Sequence, residues 1–525
     1  MMRFCPFTAC PSSFTISTMH LPSLLGHSAQ MLRLIDHSQR PADVLASEYF
    51  RAKKYIGAKE RRFISAIVFA ALRGRSAFEF CATEALKGIM AEISAVQEQF
   101  HQSHKGKKAS AEVLFHELGI ITACALVGNQ VGVGNMFEHI EETLGIAYAD
   151  LEGRIIVLGE AFASRLGISA DAGIQFAMAL HEVWSHLAEE IEHIFATEDF
   201  SEAAQELLAT RFAAPRWMLS AWQEGTTGAG DWFSAVELAA SMLGAAPVPV
   251  RINRLAADRE TVLTLLRRDG IHARAGKLSP DAILIDRRVN LTGTNLYREG
   301  VIEIQDEASQ LAGFGLAPEA TWRVLDACAG AGGKALHIGN LQGNRGEIIA
   351  ADIEYQRLKE LPLRAKRSGV SRITTVHLTS KAIVATLPEQ LAYLKASCDA
   401  VVVDAPCSGI GTVRRMPMTK WRLTPELLRK HAQKQLEIVN SFANAVKPGG
   451  VLLYLTCSLM PQENSHVVEA FLAANPDFTP EALAPAFAKN DVRIPGLSSD
   501  EAWLTLTPSQ HGTDGFFMAR LRKKM

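Results

Sequence analysis

Two short cysteine peptides stand out for the chemistry their side chains could do: Asp404-Ala-Pro-Cys407-Ser-Gly409 and Thr456-Cys457-Ser458, each closing a run of strand-forming apolar residues. Both lie downstream of a glycine-rich loop, Asp326-Ala-Cys-Ala-Gly330-Ala-Gly332-Gly333-Lys334. A strand, a glycine loop and a helix make a nucleotide-type cofactor site, and in an open parallel sheet ligands gather at the carboxyl ends of the strands. Both thiols should therefore face one crevice. That placement suits covalent chemistry on a substrate that a plain nucleophile or base could not activate. A lone cysteine at a strand end is ordinarily a small buried residue, but two at neighbouring strand ends, each followed by serine, favour the chemical role.

The loop admits two cofactors. Dinucleotide sites usually carry Gly-x-Gly-x-x-Gly, whereas the glycines here are Gly330, Gly332 and Gly333. S-adenosylmethionine (SAM) has no phosphate, and its carboxylate suits the same loop amides and positive helix end. The glycine spacing favours SAM. Asp352, ending the second strand, is placed to accept hydrogen bonds from ribose hydroxyls. The cysteines then point to a pyrimidine. Its carbon 5 is too poor a nucleophile to take a sulfonium methyl until a thiolate adds at carbon 6, and the attacking thiol needs a lowered pKa. Asp404, kept protonated by burial, could assist at ring nitrogen 3. On this chemistry alone either Cys407 or Cys457 could attack. Cys328, inside the loop, is expected to pack behind the cofactor.

The elements that must position these groups alternate from Thr321 onward. Strands are expected at Arg323 to Asp326, Glu347 to Asp352, Ile373 to His377, Ala400 to Asp404 and Val451 to Thr456, with two more at Ala502 to Leu506 and Gly515 to Leu521. Helices are expected at Lys334 to Leu341, Tyr355 to Ser368, Ala382 to Lys395 and Pro425 to Val446. This is an α/β pattern, a parallel sheet with a late antiparallel strand. Residues 31–208 show helical periodicity throughout. Residues 209–246 are expected to be linker helices, 247–320 a small α+β subdomain and 321–525 the catalytic domain; residues 1–30 look like an unstructured tail or a misassigned start.

With 525 residues, 48% hydrophobic and 21% charged, the chain is ordinary globular material. Its net charge of -2 does not announce a nucleic-acid binder, so any RNA contact must use local basic patches. The candidates are Arg414, Arg415, Lys420, Arg422, Arg429, Lys430 and Lys434; Arg364, Lys366, Arg367 and Arg372; and Arg520, Arg522, Lys523 and Lys524. Trp421 could stack on a base. Eight irregularly spaced cysteines form neither a disulfide framework nor a zinc pattern. His181 and His186 are five apart and do not share a helix face as zincin histidines do, so no metal is expected. No apolar stretch approaches the roughly 20 residues of a membrane span. A monomer in a reducing cytoplasm, not bound to membrane, is the expected setting.

At these residues the chain resembles the RsmB/Sun-type RNA cytosine-5 methyltransferases. The resemblance rests on the glycine loop, on Asp404 to Gly409, Gly411-Thr-Val-Arg-Arg415, Lys420-Trp421, Thr456 to Ser458 and Glu463-Asn464, and upstream on Arg251-Ile-Asn253, Gly300 and Gln305-Asp306-Glu-Ala-Ser309. Looser matches at Ala42-Asp43, Tyr49-Phe50-Arg51 and Arg61-Arg62 resemble that family's NusB-like RNA-binding domain, and between these two regions the similarity is faint except at Pro215-Arg-Trp217. The resemblance implies a Rossmann-like class I methyltransferase core with a mixed seven-stranded sheet. It makes Cys457 the nucleophile and gives Cys407 a part in product release. It places SAM against Cys328, Ala329, Gly330, Ala331, Gly332, Gly333 and Lys334, and against Asp352, Ser380 and Asp404. Two positions depart from the pattern: Ala331 replaces the usual proline, and Ser380 falls where an aspartate normally meets the adenine.

The reading is a SAM-dependent RNA cytosine-5 methyltransferase acting on small-subunit ribosomal RNA, on a base unstacked from its neighbours. A catalytically silent RNA-binding ribosome-assembly factor is the main rival, and a nicotinamide oxidoreductase a weaker one.

Overall fold

The computed structural model describes residues 20–91, 93–94, 108–144, 150–225, 231–285, 289–379 and 386–525. They form two compact units, residues 1–189 and 190–525.

The first unit is helical. Its helices are Leu21–Asp36, Ala42–Ala52, Ala58–Arg73, Arg75–Lys87, Lys108–Val131, Met136–Leu144, Leu151–Leu166 and the start of Ala170–Thr197. Residues 21–30 are helical, which corrects the expected tail; residues 1–19 lie outside the described residues. Pro22 sits in the first turn, where its missing N–H costs nothing. Leu21, Leu24, Leu25, Leu32 and Ile35 then bury one face at three and four spacing. The unit also closes before the expected residue 208. Phe195 and Phe200 pack on aromatic rings further along the chain, Phe195 at 5.3 Å from Phe233 and Phe200 at 5.9 Å from Trp232, and so join the second unit.

The second unit carries two sheets. The smaller contains β1 (Val248–Ile252), β2 (Ala273–Ala275), β3 (Ala282–Ile285) and β4 (Ile302–Ile304) in the order β2-β3-β1-β4, all antiparallel. The helix Arg259–Arg268 packs Val262, Leu263 and Leu266 against Val250, Ile252, Ile283 and Ile285.

The larger sheet contains β5 (Arg323–Asp326), β6 (Glu347–Asp352), β7 (Ile373–His377), β8 (Cys398–Asp404), β9 (Val446–Thr456), β10 (Phe478–Pro480), β11 (Trp503–Leu506) and β12 (Phe516–Lys523). Strands β7-β6-β5-β8-β9 are parallel, β12 runs antiparallel beside β9, and β10 and β11 both pair with β12. The strand order reverses between β5 and β8, which is where such sheets open a ligand crevice. The sheet has eight strands rather than seven, because the three-residue β10 adds to the edge. Both faces are covered, one by Leu336, Ile338, Phe314 and their neighbours, the other by Ile438, Phe442, Phe471 and theirs. The expected helix from Tyr355 to Ser368 is two, Tyr355–Leu358 and Leu361–Ser368. Pro362 opens the second and has no N–H to continue the first. Of the segment expected to be helical over 382–395, residues 382–385 lie outside the described residues and Glu389–Leu394 is a 3-10 turn.

Candidate active site

Strands β8 and β9 are neighbours in register, with Asp404 opposite Leu455. Cys407 is three residues past Asp404 and Cys457 two past Leu455, so the two strands bring their thiols to one point. The sulfur atoms are 3.3 Å apart. Close backbone approach makes room for this. Gly411 N–H donates to the Cys457 carbonyl at 2.9 Å, and Gly515 N–H donates to the Gly411 carbonyl at 2.8 Å. A Cβ at Gly411 would lie 2.1 Å from the Gly515 carbonyl oxygen.

A fully buried side chain ties the two cysteine peptides together. Glu463 Oε1 accepts from Ser408 N at 2.8 Å and from Gln435 Nε2 at 2.9 Å. Its Oε2 accepts from Ser408 Oγ at 2.5 Å and from Ser458 Oγ. The serine after each cysteine is therefore held by the same carboxyl group. Gln435 also donates to the Pro406 carbonyl at 3.1 Å, and Asn464 Nδ2 donates to the Ser458 carbonyl at 3.0 Å. In the sequence Glu463 stands out only as part of a matched peptide; the signal for its role was an acid placed soon after Thr456-Cys-Ser458.

The cofactor crevice lies on the other side of β8. The loop from Cys328 to Gly333 leads from β5 into the helix Gly333–Leu341, with Gly332 at φ 84° as its N-cap. That left-handed conformation favours glycine. Asp352 Oδ2 accepts from Gly330 N at 2.7 Å, so the ends of β5 and β6 are joined across the loop. Lys334 Nζ donates to Asp404 Oδ2 at 2.5 Å. The pair links the glycine loop to the strand that carries Cys407, and Asp404 meets an ammonium there. Burial lowers the Lys334 pKa, but Asp404 outweighs it and the net shift is upward. Cys328 packs on the core behind the loop, and burial pushes its thiol well above the ordinary range. Ser380 lies outside the described residues.

Asp326, which opens the loop, is a group the sequence reading left without a role. Neither of its carboxyl oxygens has a hydrogen-bond partner among the described residues. Burial first, and then the nearby Asp404, push its pKa up to about 7. The Cys407 thiol is also pushed well above its usual value, first by its hydrogen bond to Cys457 and then by burial.

The basic patches are largely not the open surfaces expected. Arg415 is held by Asp514, Asp306 and the Pro247 carbonyl, and Arg414 by Asp514 and the Gly512 carbonyl. Lys420 is buried with its ammonium 5.0 Å from the Trp421 ring centre. Arg364 and Arg367 pair with Glu303, while Arg520 and Arg522 pair with Glu481. Arg429, Lys430 and Lys434 remain exposed on the helix Pro425–Ala443.

Comparison with known proteins agrees with this geometry. Residues 314–522 match the model of the 16S rRNA methyltransferase RsmB/F family, and residues 214–292 match the ferredoxin-like domain of RsmF/B-like methyltransferases. The second match begins in the segment expected to be linker helices and covers part of the expected α+β subdomain. The probable ribosomal RNA small subunit methyltransferase B of Bacillus subtilis is 32% identical over 317 residues, covering 60% of this chain and 68% of that protein. Ribosomal RNA small subunit methyltransferase B of Shewanella oneidensis is 33% identical over 312 residues, covering 59% and 67%. The crystal structure of PH0851 shares the fold at a TM-score of 0.63 and 22% identity, covering 98% of this chain and 100% of that one. Among the described residues no helix is long and apolar enough to cross a membrane. The cofactor of such enzymes is SAM, and the crevice suits it. Residues Cys328 to Ala331 are partly exposed, a Cβ at Gly330 would meet no atom within 4 Å, and the unpartnered Asp326 carboxyl lies at the loop's base. Sheet order, glycine loop, paired cysteine peptides and matched residues agree: the chain belongs to the RsmB/F family of 16S rRNA methyltransferases, SAM-dependent enzymes.

Proposed function

We propose that this protein methylates carbon 5 of a cytosine in small-subunit ribosomal RNA through a covalent bond between Cys457 and carbon 6 of the base. The observation that carries the reading is the 3.3 Å separation of the Cys407 and Cys457 thiols at adjacent strand ends, beside a cofactor loop. One nucleophile explains one of these cysteines; the second, in contact with it, is placed to assist when the carbon–sulfur bond breaks.

The bound cofactor supplies an electrophilic methyl group. Residues Cys328 to Lys334 and Asp352 would hold it. Cys457, as thiolate, adds to carbon 6, which makes carbon 5 nucleophilic toward the methyl group; once carbon 5 is methylated, its proton passes to water, the carbon 5–carbon 6 double bond re-forms, and the carbon–sulfur pair returns to Cys457. Cys407 suits a different part from Cys457. Its thiol lies 3.3 Å from the Cys457 sulfur, where it is placed to assist elimination at that neighbour. Asp404, tied to Lys334, faces the same crevice and is the candidate partner for the pyrimidine ring. We assign the helical first unit to RNA binding, on its resemblance to NusB-like domains.

The test is transfer of labelled methyl from SAM to ribosomal RNA from a strain lacking the gene. Label should appear as 5-methylcytidine with the wild type and vanish with Cys457→Ala, while Cys407→Ala should accumulate a protein–RNA adduct. Transfer to another base, or full activity in Cys457→Ala, would overturn the mechanism.

A further inference from the structure

A cavity of about 770 Å³ lies between the helices Arg216–Gly225 and Pro425–Ala443, and the reaction as described does not use it. One wall is the first two turns of the helix Pro425–Ala443, through Leu428 and Arg429. The facing wall is the helix Arg216–Gly225, through Trp217 and Ser220, with Gln205 from the preceding helix Glu202–Arg211. Gln462 also lines the cavity. It is the residue before Glu463, whose carboxyl holds Ser408 and Ser458.

The lining combines an aromatic ring with polar side chains, and includes the carboxylates Glu202 and Glu224 as well as the cations Arg216 and Arg429. Trp217 is partly exposed and offers an aromatic surface. Gln205, Ser220 and Gln462 add amide and hydroxyl groups to the lining; Gln205 donates to the Phe200 carbonyl and Ser220 to the Arg216 carbonyl. Arg429 is an exposed cation at the mouth. Arg216 is answered by Glu202 at 2.5 Å, so the cavity is not simply an anion trap. A volume in this range suits a bound organic group. Unstacked bases are recognised by stacking on aromatic rings and by hydrogen bonds to their edges. An enzyme that turns one base out of a strand must also hold the nucleotides beside it.

Resting on the RNA methyltransferase reading, we infer that this cavity takes a nucleotide flanking the target cytosine, its base against Trp217 and its phosphate against Arg429. The cavity would then fix which neighbour the target cytosine must have.

The experiment measures methyl transfer to unmodified small-subunit RNA transcript by wild type, Trp217→Ala, Trp217→Phe and Arg429→Ala. Loss of a base–aromatic stack predicts a rise of about 5- to 150-fold in KM for RNA with Trp217→Ala. The same variant should hold kcat within about twofold and leave KM for SAM unchanged; Trp217→Phe should restore most of the loss. Arg429→Ala, on an exposed helix surface, should lower the steepness of the salt dependence by about one phosphate contact. It serves equally if Trp217→Ala does not fold. An active wild type with unchanged KM for RNA in both Trp217→Ala and Arg429→Ala overturns the inference. An inactive wild type overturns instead the methyltransferase reading beneath it.

Discussion

Replacing Glu463 by alanine should separate the two cysteine peptides without touching either thiol. The wild-type carboxyl group accepts four hydrogen bonds, from Ser408 N, Ser408 Oγ, Ser458 Oγ and Gln435 Nε2. In Glu463→Ala the two hydroxyls can still reach each other, since they already lie 3.3 Å apart. Gln435 Nε2 keeps the Pro406 carbonyl, but the Ser408 N–H loses its acceptor, at roughly 1–3 kcal/mol. A stability loss of about 1–3 kcal/mol follows, and the site can lower it only by letting the 408 and 458 peptides drift. A displacement near 1 Å costs about 100-fold in a positioned reaction. Single-turnover methyl transfer should therefore fall by about that factor with KM for SAM unchanged. A merely structural role would not move a second readout, the rate at which diamide joins Cys407 to Cys457, which should drop as the sulfurs part. Glu463→Gln keeps the shape and part of the bonding and should fall between the two. A folded Glu463→Ala protein with wild-type turnover and wild-type disulfide formation would refute the reasoning.

Asp326 gives a pH prediction. Its folded pKa of about 7 lies above the ordinary carboxyl value, so the native state holds the proton more tightly than the unfolded chain. Stability from this group is present below about pH 4 and lost as pH rises to about 7, by up to about 4 kcal/mol. Thermal melts from pH 4 to 8 should show a decline in the wild type that is absent from Asp326→Asn; parallel curves would remove the assignment. Two glycines should fail differently when changed to alanine. At Gly411 the new Cβ meets backbone 2.1 Å away, so Gly411→Ala should lose about 3 kcal/mol or more, read as a lowered melting temperature together with lost turnover. At Gly330 the space is open and φ is 52°, so Gly330→Ala should cost only about 1–2 kcal/mol while sharply raising KM for SAM, with equal melting losses counting against the distinction.

The catalytic half was legible because its signals are local. Apolar runs with sharp ends give β5, β6 and β7 their observed limits, and two such runs carrying cysteines at their ends predict the thiol pair. The charge patches were not legible, because a count of arginines cannot see a partner far along the chain. Arg415 answers Asp514 and Asp306, about a hundred residues away in either direction, and Arg520 answers Glu481 and two carbonyls. A sequence window registers such residues as cationic surface when their charge is already spent inside. The first helix escaped notice for a different reason. Residues 1–30 read together as a tail, although Pro22 at a helix start is neutral and the leucines after it set the period. Asp326 looked like a strand terminator because nothing in the sequence shows that its carboxyl will find no partner.

The small sheet reaches into the cofactor crevice. Arg251, on β1, is fully buried and donates to the Gly333 carbonyl at 2.8 Å. Arg364 donates to the Ala331 carbonyl at 2.6 Å while pairing with Glu303 of β4. Asn253 donates to the carbonyls of Gly300 and Ser368, both at 2.8 Å. The Gly333 carbonyl is thus gripped from outside the Rossmann-like core, whereas Arg364, on the core's own helix Leu361–Ser368, holds Ala331 and is itself aimed by Glu303 of the small sheet. Such a core is not a self-sufficient cassette: cut away from the small sheet, it would lose the hold on Gly333 outright and the carboxylate that aims the hold on Ala331.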